Sequence, residues 1–456
     1  MKSSLKLSSA LFITLALCSC GDNGDSVSSK IQYQKTKYKE VEVTPLKTRG
    51  NQGAEKLFTK LTPDFTNINF KNQIDLNEPM KRLYHSGFVC GGVALGDFNQ
   101  DSKLDIFLVS GSGNNQLYFQ TEDFRFIEAG PSSGINGGEA WGSGAAAIDI
   151  DGDEDLDIYV CNYDSPNSLF INDGKGNFKE SAKSYGLDII DASLLPTFCD
   201  YDRDGDLDLY LLTNRYYRKG GRPLKPPFKK TNDGKVVVLP EFQKFYGIKQ
   251  KGPKAYDMDE VGRPDFLLRN DGGSFVDVSQ EAGIIGEGHG LSATWWDYDN
   301  DGLMDIYVAN DFADPDNLFR NNGDGTFTDK ITDVLNYTPW FSMGADAGDI
   351  NNDGMFDFVA LDMAATTHYK SKMSMGEMGV MRWVIEATKP RQVMRNCLYL
   401  NQGKGYFSEN ASLSGVANSD WSWAAKLADY DNDGRVDLFV SNGMARDFNN
   451  SDIHPD

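Results

Sequence analysis

Six times along this chain a short apolar run follows directly on an aspartate-rich nonapeptide. The runs are LDIFLV at 104–109, LDIYVC at 156–161, LDLYLL at 207–212, MDIYVA at 304–309, FDFVAL at 356–361 and VDLFVS at 436–441. Their branched and aromatic residues and their shortness predict strands. A second pattern follows most of them: NSLFINDGKGNF at 167–178, NLFRNNGDGTF at 317–327 and NCLYLNQGKGYF at 396–407. Residues 266–275 are a contracted copy and 116–126 a degenerate one. Asn-Asp-Gly or Asn-Asn-Gly between apolar runs is a hairpin signal. Each repeat therefore predicts four short antiparallel strands.

The nonapeptides begin at Asp97, Asp149, Asp200, Asp297, Asp349 and Asp429. A base period near 52 with two insertions, 214–264 and 361–395, accounts for that series. Four-stranded units at this period predict an all-β fold, a β-propeller of four-stranded antiparallel blades. Five residues before each first aspartate stand Gly92, Gly144, Leu195, Ser292, Gly344 and Ala424. Five of these six are small, as innermost strands crowding an axis require. Six repeats are seen. The sixth shows strands one and two without a clear fourth, and LFTKLTPDF at 57–65 resembles the fourth strands SFVDVSQEAGI (274–284) and TFTDKITDV (326–334). That segment is expected to complete the sixth blade. Two readings stand: a six-bladed ring with one thin blade, or the front part of a longer, seven-bladed one.

The nonapeptides carry the chemistry. Their positions 1, 3, 5 and 9 are Asp97, Asn99, Asp101 and Asp105; Asp149, Asp151, Asp153 and Asp157; Asp200, Asp202, Asp204 and Asp208. The later three give Asp297, Asp299, Asp301 and Asp305; Asp349, Asn351, Asp353 and Asp357; Asp429, Asp431, Asp433 and Asp437. Hard oxygen ligands at this spacing, with a glycine at position 6 for the turn, suit Ca²⁺, which takes six to eight oxygens. About six Ca²⁺ sites are expected, between strands one and two of each blade. Asn99 and Asn351 lower the ligand charge, and Ser102 and Glu154 replace the turn glycine, so the first two loops are expected to be tighter or less well formed. Position 12 is Leu108 in the first loop and Val308 in the fourth, not the glutamate of an EF-hand. Turn-rich solvated loops would explain Asp and Gly, but not the fixed aspartate at position 9.

Charge fits the same picture. The net charge is −22, and 22 aspartates occupy those loop positions. Self-repulsion on that scale weakens a compact state unless cations offset it, and it argues against a nucleic-acid partner. At the N-terminus, Lys2 and Lys6 precede an apolar run at 11–17 and then Leu17, Cys18, Ser19 and Cys20. This resembles a bacterial lipoprotein signal: residues 1–19 removed, Cys20 lipidated, 20–55 a flexible tether, and 56–456 the propeller. The alternative is an ordinary secretory signal. The expected location is the bacterial cell envelope, as an outer-membrane or cell-surface lipoprotein held to the membrane by its lipid. Cys90, Cys161, Cys199 and Cys397 remain in the mature chain, as buried thiols or with one disulfide.

The insertions are the expected seats of specificity, because binding residues favour loops on a rigid frame. Residues 214–264 hold thirteen Lys or Arg, five Asp or Glu, and several aromatics. That composition suits an anionic glycan or an acidic surface, or else a loop packed on its own blade. Residues 361–395 hold six of the thirteen methionines, with Met373, Met375, Met378 and Met381 in a helix expected to end before Pro390. Trp141, His289, Trp340 and Trp421 begin inner strands and are expected at the channel mouth opposite the acidic loops, as candidate ligand-binding residues or as packing.

The repeats resemble FG-GAP/VCBS repeats, the calcium-loop propeller repeats also found in integrin α chains. LFTKL, NINF, GGVALGDFNQD and SNGMARDFNN are similar to bacterial lipoproteins related to cartilage acidic protein, which carry an ASPIC/UnbV domain after the propeller. The resemblance implies extracellular binding on a metal-stiffened scaffold. The leading expectation is a calcium-binding, membrane-anchored module for a glycan or protein ligand. Alternatives are a propeller-fold hydrolase or lyase acting at the channel mouth, and a structural part of an envelope complex. Four histidines with no Ser-His-Asp pattern and no HExxH weigh against the enzyme, and no catalytic residue is assigned.

Overall fold

The computed structural model describes residues 58–443, apart from 73–79, 81–82, 84–90, 136–137, 139, 251–255, 285, 287, 313 and 376–387, together with 37–38 and 41–42. The chain divides into two compact units, residues 1–48 and 49–456. In the first, the described residues form a minimal hairpin, Lys37–Tyr38 with Val41–Glu42. Cys20 and the proposed signal lie outside the described residues, as do Cys90, Met378 and Met381.

The second unit is a β-propeller. Five blades are complete four-stranded antiparallel sheets. Blade one is Gly92–Gly96, Asp105–Val109, Gln116–Glu122 and Arg125–Glu128. Blade two is Trp141–Ile148, Asp157–Pro166, Ser168–Ile171 and Lys179–Glu180. Blade three is Ile190–Cys199, Asp208–Thr213, Phe266–Asn270 and Phe275–Asp277. Blade four is Gly290–Trp296, Asp305–Asn310, Asn317–Asn321 and Phe327–Asp329. Blade five is Ala345–Gly348, Asp357–Ala360, Cys397–Asn401 and Phe407–Glu409. Blade six has two described strands, Asp420–Ala428 and Asp437–Asn442, joined by the short strand Met363–Ala364.

Successive innermost strands lie against one another, and the small residues there are a steric requirement. A Cβ on Gly92 would stand 2.9 Å from the Gly144 Cα, one on Gly144 2.3 Å from the Leu194 carbonyl oxygen, and one on Gly344 2.3 Å from the Trp423 carbonyl oxygen. The cores lie between blades. Ile158, Val160 and Phe170 of blade two pack with Phe98 and Phe107 of blade one. Tyr307 and Leu318 of blade four pack with Phe358 and Tyr399 of blade five. Cys161, Cys199 and Cys397 are free thiols, which settles those three in favour of unpaired cysteines. Burial raises the pKa of Cys161 and Cys397, and that of Cys199 to about 12, so they pack rather than react.

The N-terminal segment behaves differently from the expectation. Among the described residues, 58–62 make no strand ladder, and a helical turn follows at Pro63–Thr66. Three ring pairs give the rule for this place in the fold. The aromatic residue at loop position 2 meets the fourth-strand phenylalanine of the next blade: Phe98 on Phe178 at 6.0 Å, Tyr201 on Phe327 at 5.5 Å and Tyr298 on Phe407 at 6.4 Å. Tyr201 skips no blade, since Phe327 belongs to the blade after its own. Tyr430 of blade six meets Phe58 at 5.7 Å. Phe58 thus takes the place of an outer-strand phenylalanine following blade six, rather than serving as the missing edge of blade six itself. Seven residues on, Phe65 lies under the Arg125 guanidinium of blade one at 4.7 Å. The segment therefore touches both the last and the first described blades.

Candidate metal centres

The acidic loops share one internal grammar. In five of the six loops the carboxylate at position 1 accepts the backbone N–H groups of positions 5 and 6, as Asp297 does from Asp301 at 3.1 Å and Gly302 at 2.7 Å; in loop three Asp200 accepts from position 6 alone. Position 5 accepts from position 7, as Asp301 does from Leu303 at 2.9 Å. Position 9 opens strand two and is wholly buried in blades one to five. Its two oxygens clamp the hairpin: in blade four Asp305 accepts from Tyr298 N at 3.1 Å and from Asn321 N, in strand three, at 2.8 Å. This double role explains the fixed aspartate, because a backbone amide buried beside it would otherwise lack an acceptor.

Four loops bring three carboxylates together. In Asp149, Asp151 and Asp157, in Asp200, Asp202 and Asp208, in Asp297, Asp299 and Asp305, and in Asp429, Asp431 and Asp437, one oxygen from each lies within 4.8 Å of the others. These are positions 1, 3 and 9. Position 5, also expected as a ligand, turns one oxygen to the N–H of position 7 in all six loops, through Asp101, Asp153, Asp204, Asp301, Asp353 and Asp433. In loops one and five the amide oxygens of Asn99 and Asn351 accept the position 5 N–H at 3.1 and 3.0 Å, keeping the turn with one carboxylate fewer. Ser102 and Glu154 adopt the left-handed conformation of the glycine they replace, with φ of 65° and 71°, and still donate to position 1. Those loops are formed, at the cost of backbone strain. Position 4 is left-handed too, at Gln100, Gly152, Arg203, Asn300, Asn352 and Asn432. Asparagine or glycine there in four of six loops was the available sequence signal.

The electrostatics favour a cation. Burial raises Asp157, Asp208 and Asp305 to about 7 and Asp105 to about 6, against the hydrogen bonds that pull them down. Burial, then neighbouring aspartates, also raises Asp151 and Asp202. Two carboxylate oxygens inside the triads, Asp200 Oδ1 and Asp299 Oδ1, are buried with no hydrogen-bond partner. Orphaned hard oxygens among crowded carboxylates fit a divalent metal. In loop four, Arg320 of strand three supplies part of the charge, at 2.7 Å from Asp299 and 2.6 Å from Asp301.

Asparagines at the end of strand three tie each loop to its neighbour. Asn172 donates to Phe98 O at 2.8 Å, Asn321 to Tyr201 O at 2.9 Å and Asn401 to Tyr298 O at 3.0 Å. Each acceptor is position 2 of the preceding blade's loop. A second bracket was missed in the sequence. Asn115, Asn167, Asp265, Asp316 and Asn396, just before strand three, accept an N–H from the end of strand two at 2.7–3.0 Å. The counterpart of Asn167 is therefore Asp316, not Asn317; apolar spacing alone aligned the wrong residue.

At the opposite ends of the strands the four candidate ligand residues divide. Trp340 and Trp421 share one cluster with Phe341, Met343 and Met363. Trp340 is wholly buried, and its ring stacks on Phe312 at 6.3 Å and Phe341 at 5.2 Å. Trp141 belongs to a different cluster, with Tyr163 and Tyr210. His289 lies within 3.2 Å of the Glu260 carbonyl oxygen, and burial followed by Arg215 lowers it to about 3, so it stays neutral. In the basic insertion, Arg263 grips Asp191 by two bonds of 2.8 Å, Lys244 meets Asp164 at 2.7 Å, and Lys249 meets Asp314 at 2.7 Å. Tyr216 lies beneath Lys244 and Arg263. These three cations hold the insertion to the acidic body.

These features define a β-propeller repeat protein whose blades are each opened by an acidic hairpin loop. The chain belongs to the FG-GAP-like repeat family, whose profile matches residues 97–160, 149–211, 297–360 and 390–440, half of the chain. It is similar to cartilage acidic protein 1 of Xenopus tropicalis, 23% identical over 239 residues, and to that of Homo sapiens, 23% over 238. Those matches take in 50% and 51% of this chain and 30% of each relative, so the chain spans under a third of the relatives' length. Among solved structures, an Agrocybe aegerita lectin specific for non-reducing terminal N-acetylglucosamine aligns with 70% of this chain and 79% of its own, at 16% identity and TM-score 0.31. The V. cholerae biofilm matrix protein Bap1 aligns with 61% of this chain and 35% of its own, at 15% identity and TM-score 0.32.

Proposed function

We propose that this protein is a calcium-stiffened binding module of the bacterial envelope, presenting its insertions to a glycan or protein ligand. The observation that carries the reading is the set of four carboxylate triads with buried, unpartnered oxygens at Asp200 and Asp299. Asp149, Asp151 and Asp157, with their counterparts in the other triads, would hold the ions, and the bound Ca²⁺ would supply fixed positive charge that joins strands one and two. The metal's part is structural, because the clamped loops sit at the blade ends away from the insertions. Insertions on such a frame recognise ligands without reorganising it.

A glycan and protein array probed in excess Ca²⁺ and again in EDTA tests the binding role. A ligand retained with Ca²⁺ and lost with EDTA supports it. Equal retention in both conditions separates binding from the metal, and no retention in either rejects the reading.

The proposed anchor is the lipid on Cys20. Cys20→Ala is expected to move the protein from the membrane fraction to the soluble one and to abolish labelling by radioactive palmitate. Unchanged fractionation and labelling would remove the anchor from this account.

A further inference from the structure

Between blade five and blade six, on the side of Met363 and Trp421, lies a cavity of about 290 Å³. Its floor is Met363 and Met394; its wall is Thr366, His368, Ser371 and Asn418. The floor is rigid. Met363 is paired in register with Trp421 across a short antiparallel ladder, and both methionines pack against the Trp340 cluster. The wall comes from the second insertion, which leaves blade five after its second strand and begins a helix at His368–Met375. Asn418 donates from its side-chain amide to Ala365 O at 3.1 Å, which ties this wall residue to the start of the insertion.

The lining decides the ligand class. On a chain of net charge −22, none of the described residues lining this cavity is Asp, Glu, Lys or Arg. The nearby ammonium of Lys370 is held by Asp420. Among the described lining residues no Lys or Arg is present to grip a carboxylate or phosphate. Hydroxyls, an amide and an imidazole over a thioether floor instead pair with hydroxyl or amide groups while covering an apolar face. The volume approaches the lower end of small-molecule sites, roughly 300 Å³.

We infer that this cavity binds one residue of a neutral, hydroxylated saccharide and discriminates against anionic sugars. The inference rests on the glycan reading above and assigns it a place. The acidic loops serve the frame, and recognition falls to the cleft where the second insertion meets blade six.

Saturation-transfer NMR and titration calorimetry on the full chain in excess Ca²⁺ test it, with N-acetylglucosamine, L-fucose and galactose as neutral probes and glucuronate as the charged one. Ser371→Trp and Thr366→Trp place an indole at the rim from exposed positions that the fold does not depend on. At least one neutral probe is expected to bind the parent chain, both variants to weaken it by about tenfold or more, and glucuronate to give no signal. Undiminished binding by both variants would overturn the cavity while leaving the glycan reading intact. Silence from every neutral probe, together with an empty array, would overturn both. Glucuronate binding as tightly as the neutral probes would overturn the charge discrimination.

Discussion

Excess EDTA is expected to lower the Tm of the purified protein by on the order of 10 °C, with recovery on adding Ca²⁺. A ligand that binds only the folded state at 100 times its Kd contributes about 2.7 kcal/mol per site. Four triads satisfy the geometric requirement of three converging carboxylates. The effect should also depend on pH with a definite sign. Burial holds Asp157, Asp208 and Asp305 near 7, above their ordinary value of 3.8. A carboxyl raised on folding contributes stability that is full below its unfolded value and is lost as pH climbs through its folded one. In EDTA the protein should therefore lose stability from about pH 4 to about pH 8. With Ca²⁺ the trend should flatten or reverse, since the metal binds the ionised form and competes with protons. Differential scanning calorimetry at several pH values, with and without chelator, checks both arms. Melting curves that coincide with and without chelator would refute the metal role.

Gly144→Val is expected to cost more than about 3 kcal/mol or to prevent folding, above the usual range for an overpacked core. A Cβ at Gly144 would stand 2.3 Å from the Leu194 carbonyl oxygen and 3.4 Å from the Leu195 Cα. Both obstacles are backbone. They belong to the first strand of blade three, which is held in register by Leu195 opposite Leu212 and Cys199 opposite Asp208. Relief would need one inner strand to move away from the next, opening the packing around the axis. Gly443→Ala is the control: nothing lies within 4 Å of its Cβ position, and its φ is ordinary. It should change stability by no more than about 0.5 kcal/mol. Urea unfolding followed by tryptophan fluorescence reads both, and a Gly144→Val protein with the parent midpoint would contradict the crowded-axis account.

Local chemistry made much of this protein legible in advance. Asp at positions 1 and 9, small residues at 92, 144 and 344, and Asn-Gly hairpins each obey constraints that act within a few residues. They determined the blade, its strand order and the acidic loop. Long-range packing decided the rest. Spacing could not show that the backbone N–H groups of Asn172, Asn321 and Asn401 donate to the position 9 carboxylates, because that depends on where the chain returns as strand three. Nor could composition show that the basic insertion lies down on Asp191, Asp164 and Asp314, since those acids come from the first strand of its own blade, from blade two and from a loop of blade four.

The sequence alone determined a repeating β-unit with a hard-oxygen loop, because backbone propensity and carboxylate spacing are local properties. Tertiary structure alone decided where Phe58 docks and that Met363 and Asn418 line one cleft. Those outcomes follow from blades closing against one another, which places residues far apart in the chain within a few ångströms.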